Sequence, residues 1–474
     1  MKLSKLLLTC CLLVASLAAD AGDKIKYYFN HTVDNTVSTG TNAINLNGKI
    51  DDTLVAYINR AKYTLDVCVY NFTSSSTGLA NVANAINSAY TRGVKVRWIH
   101  NGTSATANTG LSLINSAIPK LASPNGSAYN IMHNKFLVVD ANSSDPNDAI
   151  VWTGSTNWSV QQFDYDYDNV VIFQDSALAH AYRAEFNMMW GDTGMTYNSA
   201  NSKFGPDKTD LGRHNFTIDG KTVELYFSPS DNTNNHIAST ILTADKDLYF
   251  GLYCITDNTD ANNIVARKNA GVYVAGIIDN YTVSASGSEY PTLNAALGTT
   301  NLKVYNGGSY LYHNKYLIVD PSDACSDPMV LTGSHNWTFS ANSQNDENTV
   351  IIHDATAANI YYQSFRADFT SLGGTLTTVA GCNTAVENLM GWDAEVRIFP
   401  QPSADGVFNI ELPIAAEQFI SIQVSDMQGR ILQTVNDEPR PGIYHHSVNI
   451  STAGMYIIKV VANNTIYTKK INRL

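Results

Sequence analysis

Two short segments of the chain carry the same set of reactive side chains. The first reads MHNKFLVVD (132–140) and the second YHNKYLIVD (312–320), so each places a histidine two residues before a lysine. Because side chains alternate between the faces of a strand, the histidine and the lysine point the same way. Each segment is followed by a turn that ends in an amide and then by a carboxylate. The candidate catalytic residues are His133, Lys135, Asn157 and Asp168 in the first set and His313, Lys315, Asn336 and Glu347 in the second.

This set of side chains suits the cleavage of a phosphodiester. Two lysines and two asparagines offer donors to the non-bridging oxygens of a phosphoryl group, where negative charge develops. One imidazole can attack phosphorus and form a phosphohistidine. The other can protonate the leaving oxygen and then deprotonate the incoming water, and an acidic residue behind each ring would fix its orientation. The set lacks the carboxylate-rich shell of Mg²⁺ chemistry, so we expect no metal and no cofactor.

The two sets belong to a larger internal repeat. The motif segments recur at an offset of about 180 residues, and the runs 57–73 and 168–175 return as 241–257 and 347–354. A duplication explains this order far better than chance. The run DYDYD (164–168) leads into one of the repeated strands, and we interpret it as solvated apart from its last residue, Asp168.

Each copy alternates between helical and strand-like patterns. In the first copy, helical periodicity covers 50–62 and 79–90, and a β-rich run follows each. This order predicts an α/β fold with helices packed on a sheet. We expect two similar α/β lobes, at 25–200 and 220–375, which face each other as a pseudo-dimer with one site between them.

The chain changes character after about residue 376. Residues 376–394 read as a linker. Residues 395–474 carry alternating or apolar runs such as ISIQV (420–424) and MYIIKV (455–460), separated by turn residues. The pattern predicts a small all-β sandwich of about seven strands.

The first 19 residues have the pattern of a secretory signal peptide. Lys2 and Lys5 precede an apolar run from Leu6 to Leu17, and small residues follow. No later apolar run reaches the roughly 20 residues that a transmembrane helix needs. We therefore expect residues 1–19 to be removed on export, with no membrane-spanning segment in the mature chain.

Export also bears on the cysteines, of which four remain after the signal peptide is removed. Cys68 and Cys254 lie in apolar strand-like runs, which favours buried thiols. Cys325 lies in a loop and Cys382 in the linker. Because export leads to oxidising surroundings, we predict a disulfide between Cys325 and Cys382.

Composition limits the classes of function. The chain is 44% hydrophobic, enough to build real cores, and this excludes a disordered chain. Its 30 Lys+Arg and 42 Asp+Glu give a formal net charge of −12. Such a charge repels phosphate polymers at long range, which argues against a broad nucleic-acid surface but leaves room for a small basic site. The 26 tyrosines could line the cleft, where they would stack bases or meet a lipid interface.

The paired motifs resemble the phospholipase D superfamily, whose signature HxK(x)4D followed by GSxN occurs here twice, within roughly residues 25–375. The resemblance implies a metal-independent phosphodiesterase with one active site shared between the lobes. It also implies that His133 is the nucleophile and His313 the acid. The segments 141–153 and 321–332 are longer than usual for the family and either bind Ca²⁺ or form solvated turns. The other motif positions are interpreted as structural: Asp140, Gly154, Ser155, Asp320, Gly333 and Ser334.

The last 80 residues also resemble a known type of domain. The runs IFPQPSADGVFNIEL, VSDMQGRIL and ISTAGMYIIKV resemble the C-terminal sorting domain of the bacterial type IX secretion system. The resemblance implies translocation across the outer membrane to the cell surface or the medium, with the secretion machinery as partner. The alternative is an ordinary carbohydrate-binding or adhesive β-sandwich.

Three functions remain open at this point. The first is a secreted phospholipase D, a monomer with internal pseudo-symmetry that touches membranes transiently and converts phospholipids to phosphatidic acid and a head-group alcohol. The second is a secreted nuclease, the only reading in which nucleic acid is a partner; the run Asn345 to Asn348 is similar to nuclease-type members. The third is a non-catalytic surface binding protein, which two intact motif sets disfavour.

Overall fold

The computed structural model describes residues 23–73, 77–126, 129–379, 396–414, 419–426, 430–462 and 465–474. The predicted signal peptide and residues 380–394 of the predicted linker lie outside these ranges. The chain divides into two compact units, 1–382 and 383–474. Within the described ranges, no helix has both the length and the apolar character that crossing a bilayer requires.

The first lobe is built on an eight-stranded mixed sheet. Its elements are β1 (Ile25–Phe29), β2 (Ile44–Asn45), α1 (Ile50–Asn59), β3 (Thr64–Val69), β4 (Phe72–Thr73), α2 (Thr77–Thr91), β5 (Lys95–His100), β6 (Lys120–Ala122), β7 (Lys135–Val139), β8 (Ile150–Gly154), β9 (Trp158–Ser159), α3 (Val160–Asp164), β10 (Asn169–Phe173) and α4 (Ser176–Trp190). The strand order is β2-β1-β10-β8-β7-β3-β5-β6. The central strands are antiparallel, whereas β3, β5 and β6 run parallel to one another.

The second lobe repeats this sheet. Its elements are β11 (Asn215–Ile218), β12 (Lys221–Ser228), α5 (Thr233–Leu242), β13 (Asp247–Leu252), α6 (Asn258–Asn269), β14 (Tyr273–Asp279), α7 (Asn280–Val283), α8 (Tyr290–Asn301), β15 (Leu302–Tyr305), β16 (Lys315–Val319), β17 (Met329–Gly333), α9 (Phe339–Ser343), β18 (Glu347–His353) and α10 (Ala355–Ser371). The order β11-β12-β18-β17-β16-β13-β14-β15 matches the first lobe strand for strand except at one edge. There β2 lies parallel to β1, whereas β11 lies antiparallel to β12.

In the larger unit, 1–382, alternating side chains of the described residues form three apolar cores. In β3, Leu65 and Val67 pack with the outer helices α1 and α2, while Cys68 faces the inner core. A second outer core lies beneath α5, α6 and α8 of the second lobe. The inner core takes residues from both lobes, with Phe186 of α4 and Phe365 of α10 among them. This shared core fixes the two lobes against each other, and the predicted pair of α/β lobes is confirmed.

The C-terminal unit is a β-sandwich, as predicted. Its strands are β19 (Arg397–Phe399), β20 (Val407–Ile414), β21 (Ile420–Asp426), β22 (Ile431–Asp437), β23 (Gly442–Asn449), β24 (Gly454–Ala462) and β25 (Thr465–Arg473). They form a three-stranded sheet, β19-β20-β23, and a four-stranded sheet, β22-β21-β24-β25. Inward residues of both sheets, such as Phe408 and Ile458, form one core.

Candidate active site

The two histidines occupy matching positions at the boundary between the lobes. His133 and His313 each stand two residues before the lysine that begins β7 or β16, and all four side chains are buried. The asparagine between them faces the other way. Asn134 Oδ1 accepts a hydrogen bond at 3.0 Å from the amide of Asn348, which belongs to the other lobe. The same contact recurs between Asn314 and Asn169 at 2.8 Å.

Each histidine is supported by a carboxylate from the opposite lobe. His133 Nδ1 lies 2.8 Å from Glu347 Oε2, and His313 Nδ1 lies 3.0 Å from Asp168 Oδ1. An ionised carboxylate only accepts hydrogen bonds, so each ring carries its proton on Nδ1. In the neutral ring the lone pair is then on Nε2, which can attack or accept a proton.

Backbone pairing brings these residues together across the lobe boundary. His133 N donates to Asp346 O at 2.9 Å, and His313 N donates to Tyr167 O at 3.0 Å. The segment before each motif histidine therefore lies beside the segment before the other lobe's carboxylate. The two lobes build one site, and neither lobe contains a complete histidine–carboxylate pair.

The glycine–serine turns hold the carboxylates. Ser155 Oγ donates to Asp168 Oδ1 at 2.6 Å, and Ser334 Oγ donates to Glu347 Oε2 at 2.7 Å. Gly154 adopts φ +141°, and a Cβ there would lie 2.3 Å from Asn169 O. Gly333 repeats this geometry with φ +149°, so both positions accept only glycine without a shift of the backbone.

The lysines are held beneath the histidines. Lys135 Nζ donates to His133 O at 2.7 Å, and Lys315 Nζ donates to His313 O. Burial lowers the pKa of Lys315 to about 8, although Asp168 and Glu347 act in the opposite direction. Burial also lowers the pKa of Lys135 well below its usual value. Nearby negative charge thus only partly offsets the cost of burying each ammonium group.

Burial keeps the imidazoles neutral. It lowers the pKa of His133 to about 4, and Lys135 and Lys315 act in the same direction against Glu347. Burial, Lys315, Lys135 and His133 hold the pKa of His313 well below its ordinary value. The lysines of both motifs lower the pKa of each histidine. The side chains of the two motifs are therefore close enough to interact electrostatically at one site.

The two supporting carboxylates differ in pKa. Burial acts to raise the pKa of Glu347, but His133 and Lys135 outweigh it and bring the pKa to about 2. Burial raises the pKa of Asp168 to about 6, with Lys315 opposing it. Near neutral pH the Glu347 carboxylate behind His133 is firmly ionised, which suits a neutral nucleophile with a fixed tautomer.

The side chains of the two motif asparagines have unused acceptors. Asn157 is buried and Asn336 half-buried, and within the described part of the chain neither Oδ1 has a hydrogen-bond partner. Asn157 N donates to Gln162 Oε1 at 2.5 Å, which fixes the turn. The tryptophans that follow, Trp158 and Trp337, are buried packing residues.

The motif aspartates lie at the far ends of the motif strands. Asp140 has φ +47° and accepts from the backbone amides of Lys62, Tyr63 and Thr64 at 2.7, 2.8 and 2.7 Å. Asp320 has φ +48° and accepts from the amides of residues 245–247. Both carboxylates close a loop onto the sheet, away from the histidines.

Two tyrosines that the sequence analysis did not single out belong to the site. The Tyr70 ring lies 5.0 Å from the His133 ring and 5.5 Å from Lys135 Nζ. Tyr253 lies 5.2 Å from His313 and 5.3 Å from Lys315 Nζ. The repeat as aligned by sequence places Tyr70 opposite Cys254 rather than Tyr253. The sheet register, in which Val69 pairs with Lys135 and Leu252 with Lys315, corrects this by one residue.

The interpretation of DYDYD as a solvated run is wrong for Asp166. This residue is 0% exposed. Its carboxylate accepts from Leu311 N at 2.9 Å and from Gln161 Nε2 at 3.1 Å. The side chain is buried because the segment 164–168 is covered by a segment of the other lobe, a contact that local sequence does not reveal.

The connecting loop after β7 has internal partners for its acidic groups. Asp148 accepts from Ser143 Oγ at 2.9 Å and pairs with Lys62 at 2.5 Å. Among the described residues, the group of side chains close enough to share a metal ion is Asp210, His214 and Asp231, which lies in neither connecting loop.

The cysteines divide as the sequence analysis suggested, with one pairing left as a prediction. Cys68 is a buried free thiol and Cys254 a half-buried one. Cys325 is disulfide-bonded. Cys382 lies outside the described residues, so its pairing with Cys325 stays a prediction.

Comparison with known proteins places this two-lobe α/β architecture in a family. The family described as "Cardiolipin synthase, PLD-like domain" matches residues 54–190 and 237–369, more than half of the chain. The chain belongs to this family, within the phospholipase D superfamily. The family described as "Secretion system C-terminal sorting domain" matches residues 397–472. This type IX sorting domain indicates export to the cell surface or secretion.

Individual relatives match parts of the chain. The mitochondrial cardiolipin hydrolase of Xenopus tropicalis is 32% identical over 156 residues, 33% of this chain and 66% of that protein. Phospholipase D of Rickettsia bellii is 28% identical over 143 residues, 30% of this chain and 67% of that protein. The chain thus spans slightly less than two thirds of the cardiolipin hydrolase. A solved phosphatidylserine synthase from Haemophilus influenzae is 14% identical with a TM-score of 0.49, covering 74% of this chain and 88% of that one.

Proposed function

We propose that this chain is an exported phosphodiesterase that hydrolyses phospholipids to phosphatidic acid and a head-group alcohol. The observation that carries the proposal is the pair of cross-lobe contacts, His133 with Glu347 and His313 with Asp168. They orient two imidazoles beside two buried lysines. The four groups together supply a nucleophile, an acid and the charge that one phosphodiester needs.

The reaction would run in two steps. Donation needs the cationic form of His313. The bound anionic phosphodiester would offset the lysine charges that help to hold the pKa of His313 low, so that His313 Nε2 takes up a proton before the reaction. His133 Nε2 then attacks phosphorus while the bond from phosphorus to the head-group oxygen breaks, and His313 gives that oxygen the proton from Nε2. Water then attacks the phosphohistidine, and His313 takes a proton from the water as the nitrogen–phosphorus bond breaks. Lys135 and Lys315 offset the charge on the non-bridging oxygens throughout. The assignment of His133 as nucleophile follows from the resemblance to the phospholipase D superfamily.

Two observations favour a phospholipid over a nucleic acid. Tight nucleic-acid binding needs contacts to several phosphates, whereas the site gathers two lysines for one phosphate in a chain of net charge −12. Relatives in the curated comparison carry the names cardiolipin hydrolase and phospholipase D. A nuclease remains the alternative that the experiment below must reject.

The test measures hydrolysis in the presence of EDTA. The mature protein is incubated with phosphatidylcholine or phosphatidylethanolamine vesicles and, separately, with single- and double-stranded DNA. His133→Ala and His313→Ala should each abolish head-group release. His180→Ala, a matched control on the outer part of α4 where the ring contacts Asn142, should leave it unchanged.

The outcomes separate the alternatives. Histidine-dependent release of head group without DNA cleavage supports the proposal. Histidine-dependent DNA cleavage without lipid hydrolysis rejects the substrate and favours the nuclease. The absence of histidine-dependent activity on any phosphodiester would reject catalysis itself and leave a binding protein.

A further inference from the structure

The side of the site that holds His313 carries an aromatic pair at the surface. The segments 165–168 and 310–313 come from different lobes and run side by side, with Tyr167 N donating to Leu311 O at 2.8 Å. Three residues before Asp168 and His313, the rings of Tyr165 and Tyr310 stack at 4.7 Å with an interplanar angle of 14°. The two rings are 46% and 41% exposed. They therefore offer outer faces to solvent next to the His313 side of the site.

The opposite side of the site is built the same way but lacks this pair. There the segments 130–133 and 344–347 run side by side, with Asp346 N donating to Ile131 O at 3.0 Å. The positions equivalent to Tyr310 and Tyr165 are held by Asn130 and Gln344. The two sides of the site therefore differ, with tyrosines on the His313 side and amide residues on the His133 side.

Two acidic residues lie near the aromatic pair, although burial raises the pKa of one of them, Asp166, to about 7. Asp164 and Asp166 flank Tyr165 in the chain, and the Asp166 carboxylate binds the backbone just below Tyr310, at Leu311 N. The rings themselves attract cations at their exposed faces.

We propose that Tyr165 and Tyr310 form the subsite for the departing head group and favour a cationic alcohol such as choline or ethanolamine. The inference rests on the proposed function, because the acid His313 protonates the leaving oxygen and so the head group must lie on its side. An ammonium group beside the outer faces of the rings would gain cation–π attraction. A neutral head group such as glycerol would not gain it.

The test compares head groups on short-chain, monomeric phospholipids, which removes any effect of membrane binding. The double variant Tyr165→Leu/Tyr310→Leu should lose about tenfold in kcat/KM for dihexanoyl phosphatidylcholine. It should change less than about twofold for dihexanoyl phosphatidylglycerol. The variant Tyr165→Phe/Tyr310→Phe keeps the ring faces and should retain the preference. Asn130→Ala/Gln344→Ala, the matched change on the other side, should leave the ratio of the two substrates unaltered.

The possible results are distinct. A fall that is equal for both head groups, or no fall at all, overturns the subsite while the phosphodiesterase stands. A matched control that alters the ratio as much as the leucine variant also overturns it. If the unaltered enzyme cleaves bis(p-nitrophenyl) phosphate or DNA but neither phospholipid, the proposed substrate is wrong and the subsite falls with it. Thermal unfolding of each variant establishes that the protein compared is folded.

Discussion

The Glu347 carboxylate lies 2.8 Å from Nδ1 of His133, although 214 residues separate the two in the chain. The reciprocal contact joins Asp168 to His313 at 3.0 Å. Each half of the chain thus orients the histidine of the other half. A substitution in the second lobe should therefore be felt at the first-lobe histidine.

Glu347→Gln should lower kcat by about 10²- to 10⁴-fold. The amide cannot hold the proton on His133 Nδ1 as an anion does, so Nε2 would lose its fixed lone pair. The measurement is hydrolysis of short-chain phosphatidylcholine together with trapping of the phosphohistidine. Glu224→Gln is the control, because Glu224 also contacts a histidine, His353, at 2.7 Å outside the site. A variant within threefold of the parent enzyme would contradict the role of Glu347.

Activity should fall as pH rises through about 8. Burial lowers the pKa of Lys315 to about 8, so the free enzyme has the ammonium charge below that pH and loses it above. Arginine stays protonated throughout. Lys315→Arg should therefore move the alkaline limb of the kcat/KM profile upward by at least about one pH unit, even if its plateau is lower. Lys120→Arg is the control, because burial also lowers the pKa of Lys120, and it should leave the alkaline limb of the kcat/KM profile in place. An alkaline limb that does not move in Lys315→Arg would refute its assignment to Lys315.

Asp140→Ala should weaken the fold far more than the chemistry. Removing the carboxylate leaves the amides of Lys62, Tyr63 and Thr64 without their acceptor. The free energy of unfolding, measured in urea, should fall by about 2–4 kcal/mol. Because a strand advances about 3.3 Å per residue, the change lies about 20 Å from His133, and kcat of the folded enzyme should stay within about twofold. Exposed Asp145→Ala is the control, and equal stability of the two variants would show that Asp140 is not structural.

The mature protein should contain two free thiols, Cys68 and Cys254. Alkylation of the denatured chain without reductant should add two groups, and alkylation after reduction should add four. Intact-mass measurement distinguishes these products. Four additions without reductant would contradict the predicted bridge between Cys325 and Cys382.

Deletion of residues 395–474 should keep the enzyme within the cell envelope. The sorting domain occupies this segment and has its own core, which includes Phe408 and Ile458. The measurement is the fraction of activity in the medium or on the cell surface, with lysate activity on short-chain lipid as the control for folding. Undiminished export of the truncated protein would show that the segment is not the export signal.

The periodicity of hydrophobic residues within short segments was enough to predict the positions of several helices. The predicted helices at 50–62 and 79–90 lie over Ile50–Asn59 and Thr77–Thr91. These patterns depend on neighbours within a few residues. The duplicated motifs also identified the histidines, lysines and carboxylates that meet at the site, since each is fixed by spacing within its own copy.

The individual contacts between the two copies could not be predicted from the sequence. Alternation along the motif segment predicts which face His133 occupies, but not that the carboxylate behind its ring is Glu347 of the other copy. Asp166 looked solvated because its cover, Leu311, comes from the other lobe. Tyr70 and Tyr253 were missed because the repeat aligned one residue out of register, and only strand pairing restored it.

The fusion of both lobes into one chain has an evolutionary consequence. In a homodimer every substitution appears on both sides of the symmetry axis, so a change that helps one half of the reaction also alters the other. Here the positions of Tyr165 and Tyr310 on one side and Gln344 and Asn130 on the other are inherited independently. The duplicated chain can therefore give its cleft a direction, with one end specialised for the group that leaves and the other for the group that stays.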